Sequence, residues 1–468
     1  MPTASSGATI AVKPQIVHFY RKQGKIHIRE TAGRYNRLRW GMVFLTQLIF
    51  YGLCWLPWQG RQAVLFDIAN RKFYIFDLIL WPQDAVYLAA ILMMAAFGLF
   101  FFTAVAGRVF CGFACPQTVY TAMFAWIEAR VEGNHLARIK LDQQPWHVRK
   151  LARKALKHGA WIGVSLVTGM TFVGYFTPIR DLVAGMPALL LGPWEGFWLL
   201  FYAVFTYLQA GILREQVCQH MCPYSRFQGV MFDPDTLTVS YDAARGEPRG
   251  GHQRRQAVQG AVKPGDCVDC GICVQVCPAG IDIRHGLQYE CIGCGLCVDA
   301  CNTVMDKLER PRGLIRYASE RMLSRGEQAM RLFRPRVALY GALLIGLTIG
   351  SIWLLIHRMP LRVDVIRDRL VLMRELGDGR VENSYTLHIH NQADKARYFK
   401  VEVSGLPGLT LAEPEVVEVA AGSSYPLPVS LSVDKSAGHG GANPIVIAVR
   451  AMDQPGDSAS QISSFILP

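Results

Sequence analysis

Residues 361–468 contain no cysteine. That excludes a disulfide-stapled, antibody-type domain and any thiolate metal site from this part of the chain. Five long segments elsewhere lack any formal charge in their interior, and helices so apolar on every face are not the half-wetted helices of a soluble surface. No dinucleotide fingerprint or flavin motif stands out, so electrons must be brought by a soluble reductant or a quinol. No cleavable leader is expected, because the first apolar run begins only near Trp40, after a long polar and basic lead. The formal net charge of +13 is strongly basic, yet no basic face is studded with aromatics. Nucleic acid is therefore excluded as a partner, and membrane topology accounts for the charge better.

Eight of the thirteen cysteines lie between Cys267 and Cys301. They form two copies of C-x2-C-x2-C-x3-C: Cys267, Cys270, Cys273, Cys277 and then Cys291, Cys294, Cys297, Cys301. Three thiolates two residues apart on a tight loop each reach a different iron of one cubane, while the fourth points away to the other cluster. The spacing therefore predicts two [4Fe–4S] clusters, one on Cys267, Cys270, Cys273 and Cys301, the other on Cys291, Cys294, Cys297 and Cys277. Gly271 and Gly295 follow the second cysteine of each run, where the backbone is expected to pass close to the cluster. Structural zinc also uses C-x2-C pairs, but two full copies of the run fit it poorly, and no spacing points to disulfide bridges. Pro278 follows the first run and Asn302 the second, a difference that removes no ligand. So much thiol belongs in a reducing compartment.

The five apolar segments, roughly Trp40–Trp58, Ala85–Ala106, Gly159–Phe176, Gly196–Leu213 and Val337–Ile356, each approach the ~20 residues that cross a bilayer. A sixth run, Phe73–Trp81, is short and interrupted by Asp77 and Pro82, and reads as an interfacial segment dipping into the membrane. Lys plus Arg number eight in 1–39, three in 59–84, nine in 107–158, one in 177–195 and seventeen in 214–336. By the positive-inside rule the N-terminus and residues 214–336 are cytoplasmic, and the chain after the fifth span is periplasmic. The expected plan is a basic, initially disordered cytoplasmic tail (1–39) and a four-span membrane domain (40–230). A cytoplasmic ferredoxin-like domain and linker (231–336), a fifth span (337–357) and a periplasmic β domain (358–468) follow. In that last part, runs such as Tyr385–His390 and Ile445–Val449 alternate between Gly and Pro punctuation, which predicts an all-β sandwich of about 100 residues. His388 and His390 share a face and read as surface strand histidines rather than metal ligands.

Four further cysteines make two matching pairs, Cys111-Gly-Phe-Ala-Cys115-Pro116 and Cys218-Gln-His-Met-Cys222-Pro223. Each pair follows an apolar segment and an arginine, Arg108 or Arg214, as a duplicated hairpin would. Cysteines at i and i+4 share one helix face and can share one ion, and a neighbouring arginine lowers a thiol pKa. Soft sulfur favours Cu(I), with His220 and Met221 as possible additional ligands. Buried helix-end cysteines are the bland alternative. Cys54, alone in the first span, reads as a packing residue.

The strings Arg108–Gln117, Arg214–Tyr224 and Phe73-Tyr-Ile-Phe leading to Trp81-Pro-Gln-Asp84 resemble the CcoG family, also called FixG or RdxA, across nearly the whole chain. The resemblance implies a multi-domain protein of the bacterial cytoplasmic (inner) membrane: a five-helix transmembrane α bundle, a bacterial-type 2[4Fe–4S] ferredoxin domain (α+β) and a C-terminal immunoglobulin-like sandwich. It further implies an oxidoreductase, a cupric reductase acting at Cys111, Cys115, Cys218 and Cys222 to supply Cu(I) for assembly of cbb3-type cytochrome c oxidase. Partners would be membrane lipid, copper ion, oxidase assembly factors or copper chaperones, and an electron donor that includes quinol among the options. Two alternatives stand beside it. One is a quinol dehydrogenase like the membrane ferredoxins of periplasmic nitrate reduction; the other is a non-catalytic assembly scaffold or copper chaperone.

Overall fold

The computed structural model describes residues 26–468 apart from 188–190, 251–264, 326–330, 332, 359, 369–371, 394, 413–415 and 455. The initial part of the basic tail, residues 1–25, and the segment 251–264 of the linker thus lie outside the described residues. The chain forms two compact units. One gathers the described residues of Met1–Thr46, Phe102–Leu166 and Ala203–Leu332; the other gathers Gln47–Phe101, Val167–Tyr202 and Phe333–Pro468.

Helices occupy all five apolar segments: α1 (Arg34–Gly52), α2 (Ala85–Ala106), α6 (Val148–Val173), α8 (Pro193–Tyr207) and the late helix Pro335–Ile356. Between them lie α3 (Val109–Phe113), α4 (Pro116–Glu132), α5 (His135–Gln143) and α7 (Ile179–Gly185), and α9 (Pro223–Met231) comes after α8. Among the described residues, three helical stretches are long and apolar enough to cross a membrane: Ala85–Ala106, Pro193–Leu213 and Pro335–Ile356. In the best eighteen-residue window of the last, no residue is buried. An apolar surface so complete finds its partner in lipid, which makes this a membrane protein. The other two helices differ from the expected spans for a physical reason. Helix α1 begins on Arg34, Arg37 and Arg39 and breaks at Gly52 into a 3-10 turn, Leu53–Trp55; α6 begins eleven residues before Gly159, with a basic first half.

In the second unit, residues 361–467 form two antiparallel sheets. One orders Thr410–Ala412, Ser424–Asp434, Arg380–Asn391 and Leu361–Arg367; the other orders Val416–Val419, Arg397–Ser404, Gly441–Ala451 and Ser458–Leu467. Alternate residues such as Leu387, Ile389, Val429, Leu431, Ile445 and Ile447 turn inward to a single core. The Phe73–Trp81 run is strand and turn. Val64–Asp67, Lys72–Ile75 and Leu78–Leu80 pair as a three-stranded antiparallel sheet, because Phe73, Tyr74 and Ile75 favour strand and Phe76 turns with φ of 53°. His390 also departs from expectation. It is buried, its Nε2 lies 3.1 Å from Asp364 Oδ2, and its ring packs edge-on to Trp81. Cys54 is a packing residue, 1% exposed among Val173, Ile179, Leu182 and Leu199.

The first unit is braced by a buried ionic network. Glu128 and Glu132, one turn apart on α4, are both fully buried. Glu128 meets Arg214 at 2.9 Å and Arg138 of α5 at 3.4 Å, while Glu132 meets Lys157 at 2.9 Å and Lys154 at 3.0 Å, both on α6. Trp161 stacks on Phe124 beneath the Lys157 and Arg214 cations. Buried charges persist only when paired in this way.

Candidate functional site

The ferredoxin-like part of the first unit is framed by the antiparallel strands Thr238–Tyr241 and Ile315–Ala318. Each cysteine run turns through a left-handed glycine, Gly271 with φ of 68° and Gly295 with φ of 72°, and each glycine caps a helix, Ile272–Gln275 and Leu296–Lys307 respectively. A positive φ is the demand glycine meets there; at Gly295 a Cβ would also strike the Tyr35 ring at 2.7 Å. Cys267, Cys270, Cys273 and Cys301 line one internal cavity, and Cys277, Cys291, Cys294 and Cys297, with Cys273 again, line another. The surrounding core of Val239, Ile283, Val298, Met305, Leu314 and Ile315 is dry. Four thiols wall the first cavity and five the second, with no carboxylate in either, a donor set that fits an iron–sulfur cluster. Among the described residues no three His, Cys, Asp or Glu side chains converge tightly enough for one metal ion; cubane ligands, each on its own iron, stand further apart. Burial pushes the Cys273 thiol up to about 11 and those of Cys277 and Cys301 to about 12, so loading must displace protons.

The second cysteine set repeats itself in detail. Cys115 caps α4 at Pro116 and Cys222 caps α9 at Pro223, the helix position where proline's missing N–H costs nothing. The Cys115 N–H donates to Phe110 O at 2.9 Å and the Cys222 N–H to Val217 O at 2.8 Å, the same wide turn five residues deep. The Thr118 hydroxyl donates to the Cys111 carbonyl, and the Ser225 hydroxyl donates to the Cys218 carbonyl at 2.6 Å. In the second copy the wide turn is a π-helix, Val217–Met221, and another π-helix, Leu208–Leu213, extends α8. Gln117 Nε2 donates to Gln209 O at 2.9 Å and to Arg214 O at 2.8 Å, tying α4 to the end of the second of these.

Charge acts between the four thiols, Cys111 with Cys115 and Cys218, Cys115 with Cys222, and Cys218 with Cys115 and Cys222, although among the described residues no three of them converge tightly enough to hold one metal ion. Burial pushes Cys111 up to about 12 and Cys218 to about 11, with neighbouring thiols adding to the effect and Arg108 opposing it. Burial also raises Cys115, against which the Gln117 and Thr118 N–H groups at the start of α4 stabilise its thiolate. The Cys111 thiol donates to Gln228 Oε1 at 3.3 Å. His220 and Met221 do not join this buried group. Both are exposed, Met221 by 60%, because residues two and three beyond Cys218 leave the face that Cys218 and Cys222 share.

Helix α3 lies directly against the loop of the Cys291–Cys297 run. A Cβ on Gly112 would sit 2.8 Å from Gly293 O and 2.9 Å from Cys294 Cα. Arg108, 5% exposed, donates to the carbonyls of Tyr289 and Ser225, tying the first motif to that loop and to α9. A narrow pocket walled by Arg39, Cys218, Pro278 and Ile292 lies at the same junction. Arg39, Gly112, Gln117, Gln228 and the Glu128–Glu132 pair escaped the sequence reading. Their one advance signal was chemical: a glycine inside a metal-ligand motif and acids spaced by four on an otherwise apolar helix.

Three family models match the chain: a 4Fe-4S dicluster domain over residues 213–320, a 4Fe-4S binding domain over 88–140, and an IG-like fold at the C-terminus of FixG over 351–468. The nitrogen fixation protein FixG of Rhizobium meliloti is 36% identical over 89% of this chain and 85% of its own length. Protein RdxA of Cereibacter sphaeroides is 38% identical over 87% of each. The crystal structure of a FixG-related protein from Vibrio parahaemolyticus matches 23% of this chain and 96% of its own at 26% identity, with a TM-score of 0.21.

Proposed function

Because this chain belongs to the FixG/RdxA family of membrane-associated iron–sulfur electron-transfer proteins, we propose that it is a cupric reductase. In this reading Cys267, Cys270, Cys273 and Cys301 hold one [4Fe–4S] cluster and Cys277, Cys291, Cys294 and Cys297 the other. When bound, such clusters supply one-electron carriers in a dry site. Cu(II) is the substrate, received by Cys111, Cys115, Cys218 and Cys222. One electron converts it to Cu(I), and the soft thiol set holds the product better than the reactant. The observation that carries this reading is the seat of Gly112 on Gly293 and Cys294, which leaves only backbone between the thiol motif and a cluster loop. Arg108 fixes that contact and offsets the charge of thiolates on both sides. The resemblance further assigns the Cu(I) to assembly of cbb3-type cytochrome c oxidase. From the charge alternation, the first unit's cysteine domain faces the cytoplasm and the sandwich the periplasm, with five spans in all.

A second reading rests on one observation. The 4Fe-4S binding model over residues 88–140 contains only Cys111 and Cys115 as cysteines, so the paired motifs would hold a third iron centre rather than copper. Two measurements separate the readings. Replacing Cys111, Cys115, Cys218 and Cys222 together by serine is expected to abolish Cu(I) formation by protein pre-reduced with dithionite and then freed of it, while iron stays near eight atoms per chain. A fall in iron from about twelve to about eight would establish the third centre, and undiminished Cu(I) formation would remove copper from these thiols.

A further inference from the structure

One cavity of the first unit has no role in the chemistry above. It measures about 400 Å³, inside the range of roughly 300–1,000 Å³ usual for small-molecule sites. Its walls come from the chain entering α1, from α4 and from Leu296, the residue before Cys297. Trp40 and Trp126 line it with their ring centroids 6.5 Å apart, and Ala125 keeps the wall between them open. Trp40 also begins the apolar run of α1, so the cavity sits where apolar and basic sequence meet.

Arg39 makes this cavity more than a gap. Its side chain is 8% exposed and lines both the cavity and the narrow pocket at Cys218. It makes no hydrogen bond or ion pair with any described residue, and its Nε is buried without a partner. The other cations of the wall are engaged: Arg29 donates to Gln275, Arg130 lies over Trp126, and Arg138 pairs with Glu128. A buried donor left without an acceptor is unfavourable, so a ligand oxygen at the Arg39 Nε would complete the site. Its charge also acts on Cys294, placing that oxygen next to the second cysteine cage.

We propose that this cavity binds the head group of a membrane quinol, with Arg39 donating to a ring oxygen and Trp40 and Trp126 packing on the ring. A flat apolar ring bearing two oxygens suits indole walls beside an Arg39 Nε that has no acceptor among the described residues. A lipid phosphate suits them less, because Glu30 stands in the same wall. The assignment rests on the copper reading and names its electron donor. One quinol would give two electrons and two protons; the two electrons balance the reduction of two Cu(II) to two Cu(I), bound iron–sulfur clusters would supply the one-electron relays, and exposed Glu30 would pass the protons to water.

The test uses the full-length, cluster-loaded protein in phosphatidylcholine nanodiscs with a short-tailed azidoquinone. Photolabel is expected on residues 121–130, competed by decylubiquinone. It should fall at least tenfold both in Arg39→Gln and in Ala125→Phe, which fills the cavity without removing charge. The ratio of decylubiquinol-driven Cu(I) formation to Cu(I) formed by protein pre-reduced with dithionite and freed of it should fall at least tenfold in the same variants, the pre-reduced yield reporting whether each variant folded and loaded. Label elsewhere, label indifferent to both substitutions, or label displaced by phosphatidylglycerol instead of decylubiquinone overturns the proposal. Absence of Cu(I) from the pre-reduced wild type would sink the copper reading alone, because labelling still judges the cavity.

Discussion

Gly112 occupies a place where any side chain meets backbone, and backbone cannot swing aside. Gly112→Ala sets a methyl against Gly293 O and Cys294 Cα, at an expected cost of about 1–3 kcal/mol. The measurements are a lower thermal midpoint and slower Cu(I) formation; an unchanged melt would mean the loop yields freely. The thiols carry a pH signature as well. With Cys111 at about 12 and Cys218 at about 11, both are protonated at neutral pH in the metal-free protein. Ligation must expel those protons, so Cu(I) affinity should rise between pH 6 and 8, by about tenfold per unit for each proton released. Competition with a Cu(I) chelator reads this directly, and a flat profile would show that these thiols are not the ligands. The residue types of this site were legible in the sequence. Its depth was not, because desolvation belongs to the packed neighbours of a thiol and not to its spacing.

At the scale of elements, the unit holding the cysteines depends on how α4, α5, α6 and the turn at Arg214 share the buried Glu128 and Glu132. Glu128→Ala leaves Arg138 and Arg214 short of their common carboxylate in a dry setting, an expected loss of about 3–5 kcal/mol. The purified variant should melt earlier and lose iron sooner under chelation, whereas an unaltered melt would show the network to be solvated. The duplicated hairpin was visible as two C-x3-CP strings. An i, i+4 helix face was expected of both, yet each cysteine pair closes with a hydrogen bond spanning five residues. Proline at the next position explains the difference: it begins a new helix and lets the preceding turn widen. That the Phe73–Trp81 run forms strands was not legible for a related reason, since a short apolar run has no periodicity that identifies a strand.

For the whole molecule, charge alternation makes a prediction that no single site makes. Alkaline phosphatase fused after Pro468 should be active and a fluorescent protein fused there dark, while fusions after Gly250 should give the reverse; matching signals at both points would refute the five-span topology. The sequence by itself determined the ligand chemistry, the duplication of both cysteine motifs, the apolar helices and the β character of residues 361–468, because each is written in local spacing or period. Only the tertiary structure decided that Gly112 abuts Cys294, that His390 is buried against Trp81, that His220 and Met221 are exposed, and that the Arg39 Nε, beside a cavity, has no partner among the described residues. Those facts join residues far apart in the chain, and burial and pairing are fixed by which surfaces pack, a property of the fold that no local pattern encodes.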